Sequence, residues 1–217
     1  MKKNFMILLI ASILFTSCIG LAIDIRMNRD GSGKLTMEYR ISQTLDSLGT
    51  LDGNREMPAI PVSRSDWEKT VQRISGAKIA SYSRRQSGQD TVMTVTLEYD
   101  SIDTLLTLLS PEASSAPITA SKNQNSINLI LNDGSLDLND TDKELMELAR
   151  KMFTGYNFSI GFSASGNSTL AFTDGNGSEI NKPSSVEAVT GGRRVSMSIG
   201  IMDLVENREG LGVRFSW

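Results

Sequence analysis

Outside three short stretches, apolar and polar residues alternate along most of the chain. Ile23, Ile25 and Met27 alternate with Asp24 and Arg26, and beyond the polar stretch Asn28 to Gly33 the alternation resumes at Leu35, Met37, Tyr39 and Ile41. Period two on both sides of a Gly-containing turn predicts a β-hairpin with one wet face. The same pattern predicts a second hairpin over residues 77 to 99, turning at Ser87-Gly88-Gln89-Asp90, with Met93, Val95, Leu97 and Tyr99 inward. Further strands are expected at Ile127 to Leu131, Tyr156 to Phe162, Leu170 to Phe172, Val195 to Ile201 and Leu211 to Trp217.

The three exceptions have helical spacing. The first opens with Ser65-Asp66-Trp67-Glu68, read as a capping box in which serine and glutamate satisfy each other's free backbone donors, and buries Trp67, Val71 and Ile74. The second follows Ser101 as N-cap and carries Ile102, Leu105, Leu106 and Leu109. The third starts near Asp140 to Asp142, where acidic side chains suit a helix N-terminus, and presents Leu145, Leu148, Ala149 and Met152. Residues 50 to 63 and 111 to 124, with two prolines each, have no periodic pattern and read as long loops. Strands with a single apolar face belong to antiparallel sheets. The expected fold class is therefore α+β, an antiparallel sheet of successive hairpins with about three amphipathic helices packed on one face.

The first residues break this pattern. Lys2 and Lys3 precede an apolar run from Phe5 to Phe15, interrupted only by Ser12, and the run ends on Thr16, Ser17 and Cys18. About eleven apolar residues are too few to span a bilayer as a helix, and a basic start before a short greasy segment is the layout of a secretory signal. Leu14-Phe15-Thr16-Ser17-Cys18 resembles the lipobox of signal peptidase II substrates, with Phe15 where Leu, Val or Ile is usual and Ser17 where Gly or Ala is commonest. The resemblance implies cleavage between Ser17 and Cys18 and acylation of Cys18. Residues 1–17 are thus expected to be a lipoprotein signal peptide. Residues 18–217 are expected to form a single exported domain, with a possible subdomain boundary in loop 111–124.

Removing the signal leaves about 200 residues and makes the formal net charge of −3 more negative by two lysines. A mildly acidic chain without a long basic run argues against a nucleic-acid partner. Cys18 is the only cysteine and histidine is absent, so the domain must be held by its core rather than by disulfides. The same absences remove Ser-His-Asp and Cys-His catalysis and any thiolate or imidazole zinc site. Carboxylate or Ser-Lys hydrolysis remains as the lesser reading. Gly31-Ser32-Gly33-Lys34 superficially looks like the end of a phosphate loop but sits in a hairpin turn, so no nucleotide is expected. The runs Asp133 to Asp137 and Asp174 to Glu179 lack the glycine and glutamate of calcium loops and read as turns, so no metal and no cofactor is expected. Asn157-Phe158-Ser159 and its two counterparts match the eukaryotic glycosylation pattern, coincidences behind a bacterial lipobox.

The order of segments has a family resemblance. A strand straight after the cysteine (Ile23-Asp24-Ile25-Arg26-Met27), a strand running into a Leu-rich helix (Thr94 to Asp103) and a last strand ending in Trp217 resemble the LppM-like bacterial lipoproteins. The resemblance implies an exported α+β domain similar to lipid-binding or envelope-assembly modules, with no catalytic residue to carry over. The functional expectation is a non-enzymatic lipoprotein of the cell envelope, lipid-anchored to the cell membrane or outer membrane through Cys18, by palmitate or a related acyl chain, and facing the periplasm or exterior. It would bind a lipid, an apolar ligand or another envelope protein; the alternative is a structural or accessory factor in outer-membrane assembly. Only Ile19 and Gly20 separate Cys18 from the strand expected to begin near Leu21, so the domain should sit directly on the headgroups.

Overall fold

The computed structural model describes residues 19–43, 63–110, 118–123, 125–134, 147, 150–151 and 153–217. Ser17, Cys18 and the core candidates Leu145, Leu148, Ala149 and Met152 of the third expected helix lie outside the described residues. In chain order the described elements begin with β1 (Ile19–Met27), β2 (Gly33–Ser42), α1 (Arg64–Gln72), β3 (Ala77–Ser87), β4 (Asp90–Tyr99) and α2 (Ile102–Leu109). They continue with β5 (Thr119–Asn123), β6 (Ser126–Asn132), β7 (Asn157–Thr173), β8 (Glu179–Ile180), β9 (Val186–Val189), β10 (Gly191–Gly200), α3 (Ile201–Val205) and β11 (Leu211–Ser216).

The two N-terminal hairpins form as the alternation predicts. β1 pairs β2 with Ile25 opposite Leu35, and the first turn is closed by Asp30, whose carboxylate accepts from the Ser32 amide at 3.0 Å while Gly31 takes a φ of +84°. The Ser32 hydroxyl, donating to the same carboxylate at 2.7 Å, and then the Ser32 amide hold the Asp30 carboxyl below its ordinary pKa. β3 and β4 turn at Gly88, with φ +65°, and β4 lies against β2. Gly33 has no room for a side chain: a Cβ would collide with the Arg26 carbonyl and the Tyr99 hydroxyl, which donates to that same carbonyl at 3.2 Å.

The fold class expected from the sequence is overturned. The molecule is mostly β, one sheet curled into a half-barrel, and its three described helices are only nine, eight and five residues long. Eight strands follow one path, β3-β4-β2-β1-β7-β11-β6-β5; β8 and β10 branch from β7, and β9 pairs with β10. Nor is the sheet a chain of hairpins, because β1 pairs parallel to β7, with Ile23 opposite Ile160 and Ile25 opposite Phe162. The described helices are too short to roof the sheet, which curls over its own core.

β7 is where the curl is made. The sequence divides it into two strands because Ser163 to Ser168 is polar, but the structure runs it as one strand of 17 residues. Ser163 to Ser168 faces only Gly192 to Arg194 on β10, an irregularity that pushes the exposed Ser165, Gly166 and Asn167 outward and bends the strand. After the bend, Phe215 of β11 lies opposite Leu170 yet stacks on Phe162, well back along β7, with ring centroids 5.2 Å apart; Trp217 is 5.6 Å from the same ring.

Three local readings also change. Residues 111 to 124 include β5, an edge strand so exposed that it shows no alternation; Ile118 just before it is buried. The cap of α1 is Ser63, which exchanges hydrogen bonds with Asp66 at 3.1 Å in each direction, instead of Ser65 with Glu68; Glu68 pairs with Arg64. Ile201 starts α3 and does not continue β10. α2 begins after Ser101 as expected, and buries Leu105, Leu108 and Leu109.

The buried apolar faces of both halves form one cluster, from Ile23 and Leu35 through Leu97, Ile127 and Phe162 to Phe215. Trp67 fixes α1 on it, tilted against Tyr39 at 6.3 Å. Trp67→Ala, Leu97→Ala and Phe215→Ala should each lower stability by about 2–5 kcal/mol in urea unfolding. Burial also pushes the Tyr39 phenol up to about 12 from 10.0. The folded state therefore keeps the proton after the unfolded state has released it: the contribution is complete below pH about 10 and fades as pH rises to about 12, on the order of 2–3 kcal/mol in all. Urea midpoints measured across that window should fall, and should fall less in Tyr39→Phe.

Candidate functional site

Strand parity places the short and charged side chains on the face opposite the core. The register then lines them up across neighbouring strands. One row runs Thr96, Thr36, Asp24, Gly161, Ser196 and Val189, through β4, β2, β1, β7, β10 and β9. The next runs Thr94, Glu38, Ala22, Ser159, Ser198 and Glu187. These two rows floor an open groove of about 630 Å³ on the polar face, within the size range of ligand sites.

Larger, basic residues rise beside the floor. Arg26 lies opposite Lys34 and Ser163, and Arg194 opposite Ser163, forming one bank. Arg40 lies on the other side, next to Gly20 and Val92. The floor is low because Gly161 has no side chain: a Cβ there would stand 3.0 Å from Asp24 Oδ1 and 3.1 Å from Arg194 Nη2. Ser159 and Ser198 hydroxyls join at 2.9 Å, so two strands are bridged across the floor.

The charges are interleaved rather than segregated. Asp24, mostly buried, accepts from Arg26 Nε at 2.9 Å through Oδ2; its Oδ1 lies 2.9 Å from Arg194 Nη2 without the alignment of a hydrogen bond. Both arginines remain well exposed, at 70% and 61% of their side-chain surface. Glu38 receives a long contact from Arg85 at 3.9 Å and one from the Thr94 hydroxyl at 3.5 Å. Lys34 and Lys78 both hold Glu98, at 3.2 and 2.9 Å, and together keep its carboxyl below its ordinary range, the Lys78 hydrogen bond being the larger cause. Among the described residues Val189 is the exposed large hydrophobic side chain, and it stands in the groove wall.

The chemical candidates read from sequence resolve as turns. Asp174 Oδ1 accepts from the amides of Asn176 and Ser178 at 2.9 and 2.8 Å, closing its own loop. Asp133 and Gly134 are described, with the Gly134 amide donating to Asn132 Oδ1 at 2.8 Å, while Ser135 to Asp137 lie outside the described residues. Among the described residues no three acidic or sulfur-bearing side chains gather as a metal site, and no helix is long and apolar enough to cross a membrane. Sequence reasoning missed the groove because it followed the apolar positions of each strand. The signal lay in the other parity, where Ala22, Ser159, Gly161, Ser196 and Ser198 are short, but only the register brings them side by side.

The groove is connected through β1 to the chain that follows Cys18. Its first residue, Ile19, directly follows Cys18 in the chain and pairs with Ile41, so no tether intervenes. Ala22 and Asp24 stand about 10–17 Å along the strand from that point. Neither a known protein family nor a curated protein matches the chain. Among solved structures it is similar to the folded domain of the LppM protein of Mycobacterium tuberculosis, determined by NMR, over 93% of this chain and 91% of that one, at 9% identity and a TM-score of 0.45. At that identity the likeness carries over no residue and no role.

Proposed function

We propose that this chain is a non-enzymatic lipoprotein of the cell envelope, held by acyl chains on Cys18, that binds an envelope component close to the membrane surface. The observation that carries the reading is the absence of spacer between Cys18 and β1. Two or three acyl chains, at about 0.8 kcal/mol per buried methylene, anchor a protein essentially permanently, whereas one chain holds only marginally. A domain whose central strand starts at the acylated residue rests on the headgroups. Its ligand must then come from the membrane surface or from what lies next to it.

The polar groove favours an envelope component over a free acyl chain as that ligand. Hydroxyls, carboxylates and the Arg194 guanidinium stand in its lining beside apolar surface such as Ala22, Ala188 and Val189, and a hydrocarbon laid over the charged groups would strip their water without replacing the hydrogen bonds.

Cys18→Ala should abolish fatty-acid labelling and either release the domain or leave an uncleaved precursor, read by metabolic labelling, fractionation and intact-protein mass spectrometry. A variant still labelled and fully membrane-bound would sink the anchor. Proximity is tested by a flexible Gly/Ser insert of about twenty residues, which adds an r.m.s. reach of roughly 25 Å. The insert belongs between Cys18 and Ile19, because Gly20 already pairs with Arg40 and packs beneath Tyr156. It should impair the cellular function of the protein while leaving acylation and melting temperature unchanged; full complementation of a deletion strain would show that closeness is irrelevant.

A further inference from the structure

We infer that the groove on the polar face is a binding site for an extended, uncharged oligosaccharide. This deepens the preceding proposal, and rests on its reading of the groove as the ligand site.

The shape points to a chain laid across the strands. The groove crosses six strands, roughly 24 Å at about 4.8 Å per strand, and is open along its length instead of closing around a compact molecule. Its floor is low in the middle, where Ala22, Ser159, Gly161, Ser196 and Ser198 are short, and Asp24, Glu38, Glu187 and Val189 stand among them. A polymer of repeating units can lie on such a floor without being bent.

The chemistry points to hydroxyl groups. A sugar hydroxyl both donates and accepts, so it needs a surface on which acceptors and donors alternate at short intervals. Glu38 and Glu187 supply acceptors; the exposed guanidinium edges of Arg26 and Arg194 that Asp24 does not take supply donors from the bank; Ser159 and Ser198, already bonded to each other, offer either. Val189 gives an apolar spot on which the C–H face of a sugar ring can rest.

Charge decides against the acidic alternatives. A phosphate or carboxylate entering the groove would meet Glu38 and Glu187 along the floor, while Asp24 already engages both Arg26 and Arg194. A cationic ligand would meet Arg26, Arg194 and Arg40. An uncharged ligand meets neither penalty. Without an aromatic platform in the lining, single-site affinity is modest, and many anchored copies facing one polymer would add their contacts by avidity.

The test uses the mature acylated protein in lipid nanodiscs, titrated with hexasaccharides of glucose, mannose and N-acetylglucosamine and with a hexamer of galacturonate, by isothermal calorimetry and by amide shifts at Ser159, Gly161, Ser196 and Ser198. At least one uncharged hexamer should bind, about tenfold more tightly than its dimer, and move those amides. Ser196→Tyr and Ala22→Phe each raise a ring into the groove from a strand position that accepts aromatics. Each should weaken binding at least about tenfold at unchanged melting temperature. The inference is overturned if none of the uncharged hexamers binds below about 10 mM, if only the galacturonate hexamer binds, or if both variants bind as the wild type does. Cys18→Ala in its soluble form should bind the same hexamer, so loss of the anchor and loss of the ligand site are read separately.

Discussion

The parallel pairing of β1 with β7 is the contact on which the rest of the structure depends. It joins the antiparallel set β3-β4-β2-β1 to the set built on β7, β10, β11 and β6, across more than a hundred residues of chain. No tight turn can make such a pair, so its loop-closure entropy must be repaid by what the pairing buries. Ile23 and Ile25 meet Ile160 and Phe162 there, all buried, and Phe215 and Trp217 close over Phe162. Without that contact each half would be an open sheet with one apolar face exposed.

The same pairing makes both faces of the sheet. Because side chains alternate, the register that puts Ile25 beside Phe162 also puts Asp24 beside Gly161 and Ala22 beside Ser159. A slip by one residue would carry the carboxylate inward and the isoleucines outward, so the hydrophobic core holds the groove in register. Core packing and site geometry are thus two readings of one set of backbone hydrogen bonds.

β1 also ties the site to the N-terminal end of the sheet. It is a central strand with a partner on each edge, and its N-terminal residue follows the only cysteine in the chain. The groove begins about 10 Å along the strand from that point.

Most of the longer strands, their inward faces and the hairpin turns were legible in the sequence, but not β5, β8, β9 or the continuity of β7. Alternation at Ile23-Ile25-Met27 or Val195-Met197-Ile199 reports burial on one side directly, and Gly31 and Gly88 mark hairpins because only glycine is at ease at their positive φ. The sequence also raises the expectation of an acylated Cys18, since a lone cysteine after a short apolar run is legible without any fold. It did not determine which strands would be neighbours. An α+β sheet of hairpins is the shortest connection between such segments, and the parallel β1–β7 pair, the bend in β7 and the strand at Thr119–Asn123 leave no local pattern. Only tertiary structure decided these, because a curled sheet is stabilised by contacts between distant segments. For the same reason it alone assembled the groove, whose small residues become neighbours only after the core has chosen the register.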